Sequence, residues 1–145
     1  MPNFLKTCSI YRKAKCLYLL THVHTAYGEI ARPPVALLPL TATPSELGSA
    51  VLQSLASVSG LVVEIDLGAA MAAFRAHLKE LGFKSAAAFE KNAAVVGVEF
   101  DAESYKVVSH EKDQNDANIP TTSKTLAATV PAEELGSTIL AAFPN

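Results

Sequence analysis

Apolar positions in this chain recur at two spacings, and the switches between them mark out its elements. From Lys6 to Val23 the residues are rich in Ile, Tyr, Leu and Val and include no Gly or Pro. That run predicts one long strand, or two short ones broken around Arg12 to Lys15. Gly28 and the pair Pro33 and Pro34 punctuate the next segment. Val35 to Leu40 then predicts a short strand in which Pro39 argues for an edge or an end. At Thr43 the pattern turns helical. Thr43 fits the N-cap, Pro44 the first helical position and Glu46 the third, which completes a capping box. Leu47, Val51 and Leu55 come after it at spacing four, giving one apolar face.

The helix is expected to fade before Gly60, and Leu61 to Ile65 predicts another strand. Asp66 can cap a second helix, in which Leu67, Met71, Phe74, Leu78 and Leu81 recur at intervals of four and three. Gly82 is the expected stop, with Lys79 well placed at the C-terminal end of the dipole. Ser85 caps a shorter helix running to about Lys91. Ala93 to Phe100 and Ser104 to Ser109 predict two strands joined by a turn from Asp101 to Glu103. Glu111 to Ser123 is polar and predicts a loop. Lys124 to Val130 supplies a last strand, and Pro131 opens a final helix to about Phe143. Strands, helices, strands and a helix in that order predict one α+β domain over residues 1–145. Its sheet is expected to be mostly antiparallel or mixed, packed with about four helices.

One short segment occurs twice. Glu46, Leu47, Gly48 and Ser49 recur as Glu134 to Ser137, each copy after a strand and a proline-led helix start. Shared packing explains this: an acid facing the helix dipole, a buried Leu, and a Gly that lets helix and sheet approach closely.

Composition narrows the class. Half of the 145 residues are hydrophobic and 18% are charged, enough to fill a core and inconsistent with a disordered chain. A net charge of −2 argues against a general nucleic-acid binder. No apolar run is long enough for a membrane span, and no secretory leader is read from the N-terminus, so the expected compartment is the cytoplasm. Cys8 and Cys16 match no zinc spacing and read as small buried or half-buried hydrophobes.

Candidate chemistry is sparse. His22 and His24 would share a face of a strand and could meet one metal, but no Asp follows closely, and the other imidazoles are His77 and His110. A surface or half-buried pair is the expected reading, with no metal and no cofactor. There is no nucleophile elbow, phosphate loop or dinucleotide fingerprint, so no catalytic residues are assigned. Charge distribution says more. Up to Tyr27 every charge is basic, whereas Glu99, Asp101, Glu103, Glu111, Asp113 and Asp116 face only Lys106 and Lys112. Those six acids are the candidate partner-binding residues, suited to a cationic protein such as a nuclease with a phosphate groove.

The order of parts resembles the immunity proteins of bacterial contact-dependent growth inhibition. The matching features are the apolar strand before Pro44 to Ser49, and the helix closing at Leu81 to Ser85 with Phe89 and Asn92 after it. The strand pair from Val95 to Val108 and the closing segment from Pro131 to Gly136 complete them. The resemblance runs from about Cys8 to Phe143. It implies a bacterial cytoplasmic protein that binds the C-terminal toxin domain delivered by a neighbouring cell, a nuclease by expectation, and blocks its active site. Membrane and direct nucleic-acid partners are not expected, and oligomeric state is open. The rival readings are a metal-dependent enzyme using His22 and His24, and a nucleic-acid-binding sheet presenting Tyr11, Arg12, Lys13, Lys15 and Tyr18. A homo-oligomeric scaffold is a third.

Overall fold

The break expected near Arg12 to Lys15 is a tight turn. In the computed structural model, which describes residues 5–144, β1 (Lys6–Lys13) folds back on β2 (Cys16–Thr25) through Ala14 at a left-handed φ of 54°. The sheet continues with β3 (Gly28–Pro39), β4 (Ala94–Phe100), β5 (Ser104–Lys112) and β6 (Asn118–Ala127). All six strands lie in one open sheet, ordered β3-β2-β1-β4-β5-β6, and every neighbouring pair is antiparallel.

Four helices cover it: α1 (Pro44–Ala56), α2 (Leu67–Glu80), α3 (Ala86–Glu90) and α4 (Ala132–Ala142). Successive strand residues point to opposite faces, and the core divides accordingly. Cys8, Ile10, Leu17 and Leu19 face α1 and α4, packing with Leu47, Val51, Leu135 and Ile139. Tyr18 and Leu20 face the other way, with Val35, Leu78 and Phe89, beneath α2 and α3. Tyr18, Phe83 and Phe89 meet edge-on with centroids 5.1–5.6 Å apart, an arrangement that adds electrostatic attraction to buried area.

The recurring helix segment belongs to a larger repeat. An offset of 88 residues carries Gly48 onto Gly136, and it also carries the first three strands onto the last three. Cys8 pairs with Val98 and Ile10 with Val96, so β1 and β4 meet about an approximate two-fold axis at the Ser9 and Gly97 pair. The ladder Cys8 to Thr21 becomes Val96 to Ser109, and Leu17 to Leu38 becomes Tyr105 to Leu126. The same offset relates the left-handed turn residues Ala14 and Ala102, and Gly28 and Asp116. It also relates the hydrogen bonds Ala42 N to Pro39 O and Val130 N to Ala127 O. The chain is thus two βββα halves, with α2 and α3 inserted between them. The helices cross reciprocally: a Cβ at Gly48 would lie 1.8 Å from the Ala132 carbonyl oxygen, and one at Gly136 would lie 1.8 Å from that of Pro44. The repeated Gly is a close-approach residue in both copies, between helix and helix rather than between helix and sheet as expected.

Several expectations need correction. Val35 to Leu40 is only the end of a twelve-residue strand. Its prolines are tolerated because β3 is an edge; Pro33 and Pro34 fall where its register with β2 shifts between Leu19 and Thr21, and Pro39 ends the strand opposite Cys16. Leu61 to Ile65 forms no strand. β1 and β3 already flank β2, so this segment finds one bridge, Val62 to His24, with Val63 N donating to His24 O. The polar stretch from Glu111 to Ser123 is mostly strand, since β5 runs to Lys112 and β6 starts at Asn118 and ends at Ala127. Pro131 is the N-cap of α4 rather than its first residue. In α2 the apolar stripe is buried only at Leu78, while Met71 stays 48% exposed.

Candidate functional site

The six candidate acids do not form one patch. β5 separates them, and its nine residues span roughly 26 Å. At one end, Asp101 builds the β4–β5 turn: its Oδ1 accepts from the amides of Glu103 at 2.9 Å and Ser104 at 2.8 Å. Those backbone bonds hold its carboxyl below the usual range. Glu103 is exposed in the same turn, and Glu99 lies on β4 with Lys106 3.9 Å away across the ladder. Glu111, Asp113 and Asp116 gather at the opposite end, around the β5–β6 turn. Asp113 Oδ1 accepts from the amides of Asn115 at 2.7 Å and Ala117 at 3.0 Å. Asp116 lies 3.4 Å from the Lys112 ammonium and accepts a long bond from Asn92 N. Glu111 is exposed on the last turn-ward residues of β5.

A cavity of about 210 Å³ opens beside this end, walled by Asn92, His110, Lys112, Asp116, Asn118 and Pro144. Nothing local in the sequence marks His110; its one signal is that it stands 88 residues after His22. Two residues of the wall, Asn92 at φ 60° and Asp116 at φ 62°, are left-handed without being glycine.

The pair His22 and His24 is held by a neighbouring carboxylate. Thr7 donates its hydroxyl to Glu29 Oε1 at 3.1 Å, so the 3.0 Å contact with His22 Nδ1 is made by a protonated ring nitrogen. Glu29 Oε1 also lies 3.8 Å from His24 Nδ1, and His24 Nε2 reaches the Leu5 carbonyl. Burial pushes the His22 pKa down, against the pull of Glu29 and with a smaller push from His24. Among the described residues, no group of three or more His, Cys, Asp or Glu is placed to hold a metal ion. His77 has a packing role: its Nε2 accepts from Val35 N at 2.8 Å, tying α2 to β3.

The basic N-terminal strand pair is largely committed inward. Arg12 donates to the Pro144 carbonyl at 2.6 Å and lies 4.9 Å over the Phe143 ring. Lys13 donates to the Ala88 and Lys91 carbonyls at the end of α3. Tyr18 is buried in the aromatic cluster, and the Tyr11 ring lies 5.0 Å from that of Phe89. Of the five residues that a nucleic-acid-binding sheet would present, only Lys15 faces solvent fully. The Cys8 thiol is buried beside Ser54 and its pKa is pushed up to about 12, so the thiolate needed for nucleophilic attack is suppressed.

No family model matches the chain, and no curated protein sequence matches it. Two solved structures share its architecture. A Neisseria meningitidis protein of unknown function aligns at a TM-score of 0.73 and 18% identity, over 98% of this chain and 95% of that one. A chain of a CdiA-CT/CdiI toxin and immunity complex from Yersinia pseudotuberculosis aligns at a TM-score of 0.76 and 13% identity, over 95% of both. The likeness is one of fold. No helix among the described residues is long and apolar enough to cross a membrane.

Proposed function

We propose that this chain is an immunity protein that binds a toxin domain and neutralises it. The observation that carries the reading is the likeness, over 95% of both chains, to a chain of a CdiA-CT/CdiI toxin and immunity complex. A match of that extent takes in both βββα halves and the inserted helices rather than one shared module. The residues are consistent with binding rather than catalysis: the buried thiol is suppressed, and the imidazoles of His22 and His77 are held by neighbours. In the finer form of the proposal, the partner is the C-terminal toxin domain of a contact-dependent growth inhibition system, a nuclease, met in the bacterial cytoplasm. Inhibition is by covering its active site.

Glu111, Asp113 and Asp116 form the better half of the candidate interface, because they converge around one turn, with Lys112 paired to Asp116 among them. Complementary charge of this kind mainly speeds association and selects partners. The decisive experiment is co-expression with the toxin domain encoded immediately upstream, scoring survival and co-purification. Survival with a stable complex is expected. Unrelieved toxicity with no complex, while the immunity chain is folded, would remove the reading.

A further inference from the structure

The inserted helix α2 is tied to the sheet by a hydrogen bond that exists in only one protonation state of an imidazole. β3 pairs with β2 at Arg32 opposite Thr21 and at Ala36 opposite Leu19, so Pro33, Pro34 and Val35 stand together against Leu20. Neither proline has an N–H, and Val35 donates its own out of the ladder to His77 Nε2 at 2.8 Å. Val35 is buried, and a buried amide left without an acceptor is costly. An accepting Nε2 carries no proton. The docked ring is therefore neutral, with its proton on Nδ1, 3.7 Å from Glu80 Oε2.

These two neighbours pull in opposite directions. The Val35 amide requires the neutral ring, because a protonated Nε2 would set one donor against another. The Glu80 carboxylate favours the cation. The remaining charges of the elements packed around the ring are committed elsewhere. Arg75 and Lys79 on α2 are exposed, Glu90 on α3 lies by Tyr11, Glu29 on β3 meets His22 and His24, and Arg32 donates to Ser57.

Apolar packing holds α2 at one end only. Leu78 is its one buried residue, and Phe74 is half-buried against the cluster of Tyr18, Leu20 and Val35, whereas Met71, Ala72, Ala73 and Ala76 are exposed. Just beyond it, Gly82 is left-handed at φ 96° with open space around its α-carbon, the geometry of a hinge. Past that hinge the chain is anchored again. Phe83 meets Tyr18 and Phe89 edge-on, and Lys13 ties down the Ala88 and Lys91 carbonyls of α3. We infer that α2 is a flap released by acid: protonation of His77 breaks its bond to the Val35 amide, and the helix swings on Gly82 to uncover Tyr18, Leu20 and Val35 while α3 stays in place. The step takes up one proton at Nε2 and leaves an imidazolium beside Glu80, so release grows as pH falls through the imidazole range.

Backbone amide exchange of the intact chain, followed by NMR and corrected for intrinsic rates, tests this. A short helix freed from its packing frays, so opening is read directly as lost protection. Between about pH 7.5 and about pH 5.5, protection of Val35 and of α2 is expected to fall about tenfold or more, while α1, α4 and β1 keep theirs. His77→Gln does not titrate, so its α2 protection, high or low, should be the same at both pH values. Glu80→Gln, at an exposed position, removes the carboxylate that favours the cation, and the fall should begin at lower pH. Undiminished α2 protection in the wild type overturns the flap. So does a parallel loss in α1 and α4, which is global unfolding, or a fall of wild-type size in His77→Gln. Should His77→Gln not fold, Glu80→Gln decides alone, and an onset at the wild-type pH overturns the assignment to His77.

Discussion

Burial decides the chemistry of single residues more than identity does here. Cys8 and Cys16 have the same thiol, yet only Cys8 is sealed against the α1 face, with its pKa raised to about 12. A thiol reagent at neutral pH should therefore label Cys16 and leave Cys8 until the chain is unfolded in urea. Prompt labelling of both, read by mass spectrometry, would contradict that packing. His22 makes a prediction about pH. Its folded pKa lies below the ordinary 6.5, chiefly through burial, so the unfolded chain takes up the proton more readily. The stability that depends on the neutral ring is complete above 6.5 and declines as pH falls from there through the lowered folded value. Urea midpoints should drop between about pH 7.5 and pH 5.5, and less so in His22→Gln, as imidazole is the group that titrates there. Neither effect is legible in sequence, because both depend on which face of a strand is covered.

At the scale of elements, caps and periodicity carry most of the information. The capping box at Thr43 and Glu46 is formed by both of its hydrogen bonds, and Asp66 and Ser85 cap α2 and α3 as expected from sequence. These signals are local, so they survive without knowledge of the fold. The first half of β6 reads as loop because it belongs to an edge strand with almost every residue exposed, and its composition is polar. The run from Leu61 to Ile65 misleads in the opposite direction, being apolar but without a free strand to pair with. The crossing of α1 and α4 gives a sharp prediction. Gly48→Ala and Gly136→Ala each push a Cβ into a carbonyl oxygen of the other helix, and each should destabilise by about 3 kcal/mol in urea unfolding. Similar losses in both are expected from the two-fold; a loss in one alone would mean that the helices are not equivalent. Truncating Phe89, where the inserted α3 meets the sheet, should cost about 3–5 kcal/mol by the same measurement.

For the whole molecule, the sheet puts the two turns of the acidic segment at opposite ends of β5, and partner binding should distinguish them. Glu111→Lys, at the β5–β6 end, is expected to slow association with the toxin domain by about tenfold at low salt, whereas Glu103→Lys should change it little. The rate constants measured by surface plasmon resonance would decide between the ends, and equal effects would return the interface to the face between them. Sequence by itself determined the α+β class, the four helices with the caps of the first three, and the acid-rich second half, because propensity, capping and charge are written residue by residue. It also held the repeat in plain view as two copies of Glu, Leu, Gly and Ser, but four residues cannot disclose an 88-residue symmetry. Only the tertiary structure decided that the copies are the crossing point of two βββα halves, that the acids divide into two groups, and that His110 faces a cavity. Those properties arise from strand register and from which elements lie on which face, and register is set by contacts between residues far apart in the chain.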